Sequence, residues 1–342
     1  MKPTSNAQVA ASRACLSARV LMLALAVVGC TDQLDAGRTR PHGLLPVDER
    51  NPIILTDDGA FDNWAGEYAM LLANGGGAEL AAIVVSASPA WPSITDNVDG
   101  FHELLLAAHQ SGLRNIPETT TTSLNNPPLK MPDSGKIMDT VPNRSDGAYL
   151  IKNLSSERAL PYRPLVVATG GALTDIADAY LLDPTVVDRV VVISSLGALD
   201  ATGAAMSKPN GEMDPWADLI VATCFRYIQV SAFYDQLADV PDSRKSDLPM
   251  NPFGVWMKAK IPRILDIQVA SDQVAVLAAS LPGFVEQVQQ VSAPTTLAAN
   301  SSSGPHLTVD SSGSAQLVND TAGALASARL WQLLKAASTF SK

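Results

Sequence analysis

From residue 51 onward, short aliphatic runs alternate with stretches of helical periodicity, and this alternation limits the chain to few architectures. Ile53-Ile54-Leu55, Leu80–Val85, Leu165–Ala168 and Val190–Ile193 are continuous apolar runs of strand length. Unbroken runs of this kind suit strands buried on both faces. Helical patterns fall between them at about 62–74, 95–112, 171–182 and 215–225, and a last one at about 320–338. Thr95-Asp96 are N-cap candidates, and Pro215 stands at a first helical position after Asp214. Gly75-Gly76-Gly77 reads as a stop for the first helix. Strand and helix in alternation imply an α/β fold with a mostly parallel, doubly wound, Rossmann-like sheet. Residues 117–145, rich in Thr, Pro and Asn, read as a long connection, and no internal repeat is visible. The last helix carries a stripe of Ala322, Leu325, Ala326, Leu330 and Leu333.

Charge and cysteine content exclude several classes. The 342 residues carry a formal net charge of −10, and the first 29 hold Lys2, Arg13 and Arg19 and no acid, so the remainder is more acidic still. Such a surface repels phosphate backbones and no basic patch is evident, which argues against nucleic acid as a partner. Three cysteines are too few for a disulfide framework or a four-cysteine zinc site. Cys224 is expected to be a buried thiol on a helix.

The amino terminus reads as a targeting segment. The apolar run Val20–Val28 would reach only roughly 14 Å as a helix, about half a hydrocarbon core, which fits a signal-peptide centre behind a positive flank. Val27-Val28-Gly29-Cys30 resembles the bacterial lipobox. That resemblance implies a lipoprotein signal peptide over 1–29 and a diacylated Cys30 at the mature terminus. Residues 30–50 then form a tether, and 51–342 form the domain. The protein would be exported, facing the periplasm or the cell exterior and held to a membrane by its lipid.

Ligands of doubly wound sheets bind beyond the carboxyl ends of the strands. At the first such point stands Thr56-Asp57-Asp58-Gly59-Ala60-Phe61-Asp62-Asn63. Carboxylates this dense repel one another unless a cation or a hydrogen-bond network offsets them, and an all-oxygen set suits Ca²⁺ or Mg²⁺. Turn and N-cap chemistry is the alternative for the same residues. This stretch resembles the Asp-Thr-Asp-Pro-Gly-x-Asp-Asp signature of inosine–uridine-preferring nucleoside hydrolases, with Thr56 in place of the leading Asp and Asn63 in place of the last. Val167–Ala177 resembles the family's Ala-Thr-Gly-Pro-Leu-Thr-Asn-Ile-Ala segment, with one extra residue. Gly211–Asp218 resembles its ribose-binding Glu-Phe-Asn segment, and Ser271–Val276 its His-Asp-x-x-Ala segment.

The resemblance implies the nucleoside hydrolase type of sheet and a calcium-dependent hydrolase that releases base and ribose from ribonucleosides. It implies metal ligation by Asp58, Asn63, the Thr169 carbonyl and Asp272, and a catalytic Asp58. Ribose would be held by Asp62, Glu212 and Asp214. It leaves room for a homo-oligomer. Departures from the pattern are Ala87-Ser88 where the family has Gly-Asn, Asp214 for the Asn, and Ser271 for a histidine that in some members protonates the leaving base. Asn210 is a loosely aligned substitute amide, and Trp91 and Trp216 are candidates for stacking on a base. Asp175 and Asp178 read as first-turn acids of a helix, and His102 and His109 as surface or packing residues. The alternative function is a lipid-anchored binding protein for ribose or nucleosides on the same scaffold.

Overall fold

The computed structural model describes residues 45–60, 64–76, 79–89, 91–123, 126–195, 210–231, 242–265, 272–297, 305–336 and 340. The expected strands form: β1 (Ile53–Asp57), β2 (Leu80–Val85), β4 (Leu165–Thr169) and β5 (Val190–Ser195), joined by a short β3 (Thr121–Thr122) and β6 (Arg226–Val230). β7 (Val285–Ser292), β8 (Thr308–Val309) and β9 (Ala315–Thr321) complete one sheet in the order β3-β2-β1-β4-β5-β6-β9-β7-β8. Strands β3 through β9 in that order pair in parallel, and β7 and β8 pair antiparallel at one edge.

Eight α-helices are described: α1 (Ala65–Gly76), α2 (Ile94–Gln110), α3 (Asp146–Arg158), α4 (Thr174–Leu182), α5 (Pro215–Cys224), α6 (Pro252–Leu265), α7 (Gln273–Ser280) and α8 (Gly323–Lys335). The two-residue period of each strand divides the core. Ile53, Leu55, Ile83, Val85, Val166 and Ala168 face α1, α2, α6, α7 and α8. Ile54, Val84, Leu165, Val167, Val190 and Val192 face α3, α4 and α5. Both faces are covered, which is why these strands read as unbroken apolar runs rather than as alternating ones.

Several local expectations change. Ser93, not Thr95 or Asp96, caps α2, its side chain accepting from Asp96 N. Gly75 and Gly76 lie inside the last turn of α1, because the bare Cα of Gly75 admits the Leu333 side chain of α8, whose Cδ2 would be 2.6 Å from a Cβ there. On α8, Leu325 is 40% exposed while Trp331 and Leu334 are buried, so the inward stripe is rotated toward the helix end. Cys224 is half-buried at the last position of α5. Helices α3, α6 and α7, and strands β6, β7 and β9, were not read from the sequence. Among its described residues, the 117–145 connection contains only β3 and a short 3₁₀ turn at Ile137–Asp139.

The topology fixes where a site can form. From β1 the chain winds outward through β2 to β3, then returns to β4 on the other side of β1 and continues to β5 and β6. The strand order reverses between β1 and β4, so the crevice beyond their carboxyl ends is the switch point at which ligands bind in such folds.

Candidate active site

Asp58 follows β1 directly, and Thr169 is the last residue of β4, paired in register with Thr56. The turn after β4 is drawn against β1 by Gly170 N donating to Thr56 O at 2.9 Å. Two glycines let the walls of the crevice meet. A Cβ at Gly170 would fall 2.3 Å from Asp272 Cβ and 2.6 Å from its Cγ, and one at Gly171 would lie 3.6 Å from Asp58 N. Asp58, the Thr169–Gly171 turn and Asp272 therefore converge, although Asp272 is over 200 positions from Asp58 in sequence. Asp62, Asn63, Ser271 and Cys30 lie outside the described residues.

The Asp58 carboxylate is buried, and that burial raises its pKa; the Ser88 hydroxyl, its own backbone and Asp57 partly offset the rise. Ser88 also accepts from Trp91 N at 3.1 Å, and its own N–H donates to Trp91 O at 3.1 Å. This tight loop lays the half-buried Trp91 ring against Gly59, where a Cβ would be 3.1 Å from the ring. Ser88 thus stands where the resemblance places a ribose-binding amide, and its hydroxyl is engaged with Asp58. Asn210 donates its amide to Gly170 O at 2.5 Å and Ser195 O at 2.9 Å, tying the start of its own segment to the ends of β4 and β5.

Two residues escaped the sequence reading. Asp57 is fully buried, and its Oδ1 accepts from Asp58 N at 2.8 Å, fixing the backbone that carries Asp58. Trp64, just before α1, has φ 60°. A bulky side chain in the left-handed region costs on the order of 1–3 kcal/mol and is found where the surroundings enforce it. Here it lies immediately after the acidic loop.

The other candidates are placed differently from expectation. Asp214 caps α5: its carboxylate accepts from Ala217 N at 3.0 Å, Leu129 N at 2.8 Å and Thr174 Oγ1 at 2.8 Å. Glu212 is exposed on the 3₁₀ turn Asn210–Glu212. Trp216 is not a loop residue but part of the first turn of α5, 3% exposed, and its indole donates to Thr140 Oγ1 at 3.0 Å. Its role is to pin the long connection, not to line a pocket. Asp175 accepts from Ser123, from Asn126 at 2.7 Å and from Ser145 at 2.6 Å. Asp178 accepts from Ser145 N at 2.8 Å. These acids bind the connection and the start of α3 to α4, more than the first-turn role expected of them. His102 meets Thr120 Oγ1, and His109 meets Pro117 O, on the far side of α2.

A cavity of about 470 Å³ opens beside this crevice, at the ends of β2 and β3 and the start of α4. Ser86, which would lie 3.1 Å from a Gly171 Cβ, forms part of its wall, so it adjoins the Asp58 turn. Among the described residues no group of three or more His, Cys, Asp or Glu is placed to hold a metal. A calcium set of two carboxylates, an amide and a carbonyl does not require one. The fit rests on charge and proximity: Asp58 and Asp272 flank one turn, are each 3% exposed, and lie at an edge with no buried cation among the described residues. Oxygen donors so arranged suit a hard divalent ion.

No family model matches the chain, and no curated protein does so. Solved structures do. An inosine–guanosine nucleoside hydrolase superposes with a TM-score of 0.60 at 15% identity, covering 83% of this chain and 99% of that one. A purine-preferring ribonucleoside hydrolase from Gardnerella vaginalis gives 0.56 at 15% identity over the same shares, 83% and 99%. The inosine–uridine-preferring nucleoside hydrolase from Bacillus anthracis gives 0.53 at 15%, again over 83% and 99%. Parallel sheet, switch-point crevice and superposition agree: this chain has the fold of the nucleoside hydrolases.

Proposed function

We propose that the protein hydrolyses the N-glycosidic bond of ribonucleosides, releasing base and ribose. The observation that carries this is the convergence of Asp58, the Thr169–Gly171 turn and Asp272 at the switch point of that fold. Calcium held by Asp58, Asn63, Asp272 and the Thr169 carbonyl would supply positive charge that lowers the pKa of a neighbouring water. Asp58, fixed by Asp57 and hydrogen-bonded to Ser88, is the base that takes the water's proton. Asp62 and Glu212 are assigned to the ribose hydroxyls, where acceptors gain strength as positive charge develops on the sugar. Asp214, for which the resemblance suggests a ribose contact, acts here by capping α5 and orienting Thr174.

The test is a reducing-sugar assay of the calcium-loaded protein on inosine, uridine, cytidine and adenosine. Turnover of at least one is expected, and Asp58→Asn should lower it by about 10²–10⁴-fold. Asn63→Asp, which restores a carboxylate, should tighten calcium binding. The binding-protein reading has one observation in its favour: Ser88 and Asp214, at two ribose-holding positions, are engaged with the protein itself. Ribose binding without cleavage by wild type or Asn63→Asp would establish it instead. Export and diacylation at Cys30 are part of the proposal. Intact-mass analysis of natively produced protein should find Cys30 as a lipid-bearing first residue, and a terminus cut elsewhere would refute that part.

A further inference from the structure

Of the residues lining the cavity beside the Asp58 turn, Ser123, Asn126 and Pro127 come from the 117–145 connection. A long segment with so little secondary structure is ordinarily mobile. Ordering it at the moment of binding would weaken affinity. Here it is tied down at several points. Asp175, in the first turn of α4, accepts from the Ser123 hydroxyl, from Asn126 Nδ2 at 2.7 Å and from Ser145 Oγ at 2.6 Å. Asn126 Oδ1 accepts from Asn143 Nδ2 at 2.8 Å, and the same nitrogen donates to Pro127 O at 2.7 Å.

The neighbouring backbone is shaped around this carboxylate. Gly147, in the first turn of α3, has no room for a side chain: a Cβ there would fall 2.6 Å from Ser123 Oγ and 2.8 Å from Asp175 Cγ. At the end of the connection Arg144 takes φ 63°, with its own N–H and that of Ser145 donating to Asp178 at 3.2 and 2.8 Å. A non-glycine residue keeps such a conformation where its surroundings enforce it. Position 175 is asparagine in the family segment that Val167–Ala177 resembles, and here it is aspartate. The donor count explains the difference. Three donors converge on one side chain; a carboxylate offers two acceptor oxygens and no hydrogen, whereas an amide would turn its NH₂ toward one of them.

We infer that Asp175 is a positioning residue for substrate binding: through Ser123 and Asn126 it holds the 123–127 wall of the cavity in its binding shape before substrate arrives. This rests on the hydrolase reading and deepens it. Asp175 touches no reacting atom, because its oxygens are occupied by the wall and by the start of α3. Its effect therefore falls on how tightly the ground state and the transition state are both bound. A loss of such uniform binding appears in KM and leaves kcat in place.

The experiment compares wild type with Asp175→Asn as full chains with calcium, on the nucleosides that wild type cleaves. KM should rise about tenfold while kcat stays within about threefold. The double variant Asp175→Asn/Asn126→Asp exchanges donor and acceptor, so that the amide at 175 donates to the carboxylate at 126, and should recover most of the loss. A fall in kcat with KM unchanged, or no recovery in the double variant, would overturn the inference and leave the hydrolase reading intact. Amide hydrogen exchange tests the wall without turnover. In Asp175→Asn the Ser123 and Asn126 amides should exchange at least about tenfold faster, with Val192 in β5 unchanged. Equal rates in the two proteins, or acceleration at Val192 as well, would overturn the inference. Absence of turnover by wild type would defeat the hydrolase reading, while the exchange result would still decide whether Asp175 holds the wall. Should Asp175→Asn not fold, Ser123→Ala removes a single donor and should raise KM about threefold at constant kcat; an unchanged KM would overturn the inference.

Discussion

Gly170 carries no side chain because Asp272 occupies the space where one would stand. Gly170→Ala would have to displace Asp272 or shift the end of β4. Overpacking of this kind costs about 1–3 kcal/mol. The expected result in thermal unfolding is a lower Tm and, more specifically, a smaller rise in Tm on adding calcium, since a ligand that binds only the native state stabilises it by mass action. A full calcium response in Gly170→Ala would mean that Asp272 is not a ligand. Asp58 and Ser88 show what sequence comparison misses at this scale. The resemblance identified both positions, but only the folded loop shows that the Ser88 hydroxyl engages Asp58 rather than facing the crevice alone.

Helix α5 is held at its start by one residue. Asp214 satisfies Ala217 N within the helix, and it also receives Leu129 N from the long connection and Thr174 Oγ1 from α4. Loss of a capping side chain costs about 0.5–2 kcal/mol, and each buried donor left unpaired adds about 1–3 kcal/mol. Asp214→Ala is therefore expected to destabilise the protein by roughly 2.5–8 kcal/mol in urea unfolding. Asp214→Asn keeps an acceptor oxygen and should lose less. A neutral result for Asp214→Ala would show that the cap and its two tertiary bonds are replaceable by water. The same helix carries Asp218, fully buried, with no hydrogen-bond partner for either oxygen among the described residues. Burial, and then the nearby Asp214, push its pKa up to about 8.

Across the whole molecule, these buried acids make stability depend on pH in an unusual direction. Glu67 on α1 is fully buried with both oxygens unpartnered among the described residues, and burial raises its pKa to about 8. The native state then holds the proton more tightly than the unfolded chain, where a glutamate titrates near 4.5. The stability this contributes is complete below about pH 4.5 and is lost as pH rises toward about 8. Glu67→Gln, which mimics the protonated carboxyl, should match wild type near pH 5 and be more stable at pH 8, on the order of a few kcal/mol. Calorimetry at both pH values tests it, and parallel pH curves for the two proteins would refute it.

The strands of the central sheet were legible in the sequence because burial on both faces leaves no room for polar residues, and that constraint is written into consecutive positions such as Val190–Ile193. Asp214 before Pro215 was legible as a helix start for a similar reason, since capping is a matter of neighbours in the chain. Strand β7, beside the edge strand β8 and exposing Glu286, Gln287 and Gln290, gave no such signal, because a strand that is not covered on both faces need not exclude polar groups. Helices α6 and α7 were missed as well. In the site, the residue types and their order were read from the chain by resemblance. What the tertiary structure alone decided is how they are used: Asp272 against Gly170, Ser88 on Asp58, Trp216 inside the core, and Asp214 as a cap. Those outcomes depend on which backbones approach closely enough to exclude a Cβ or to share a carboxylate, and distance in space is not a local property of the sequence.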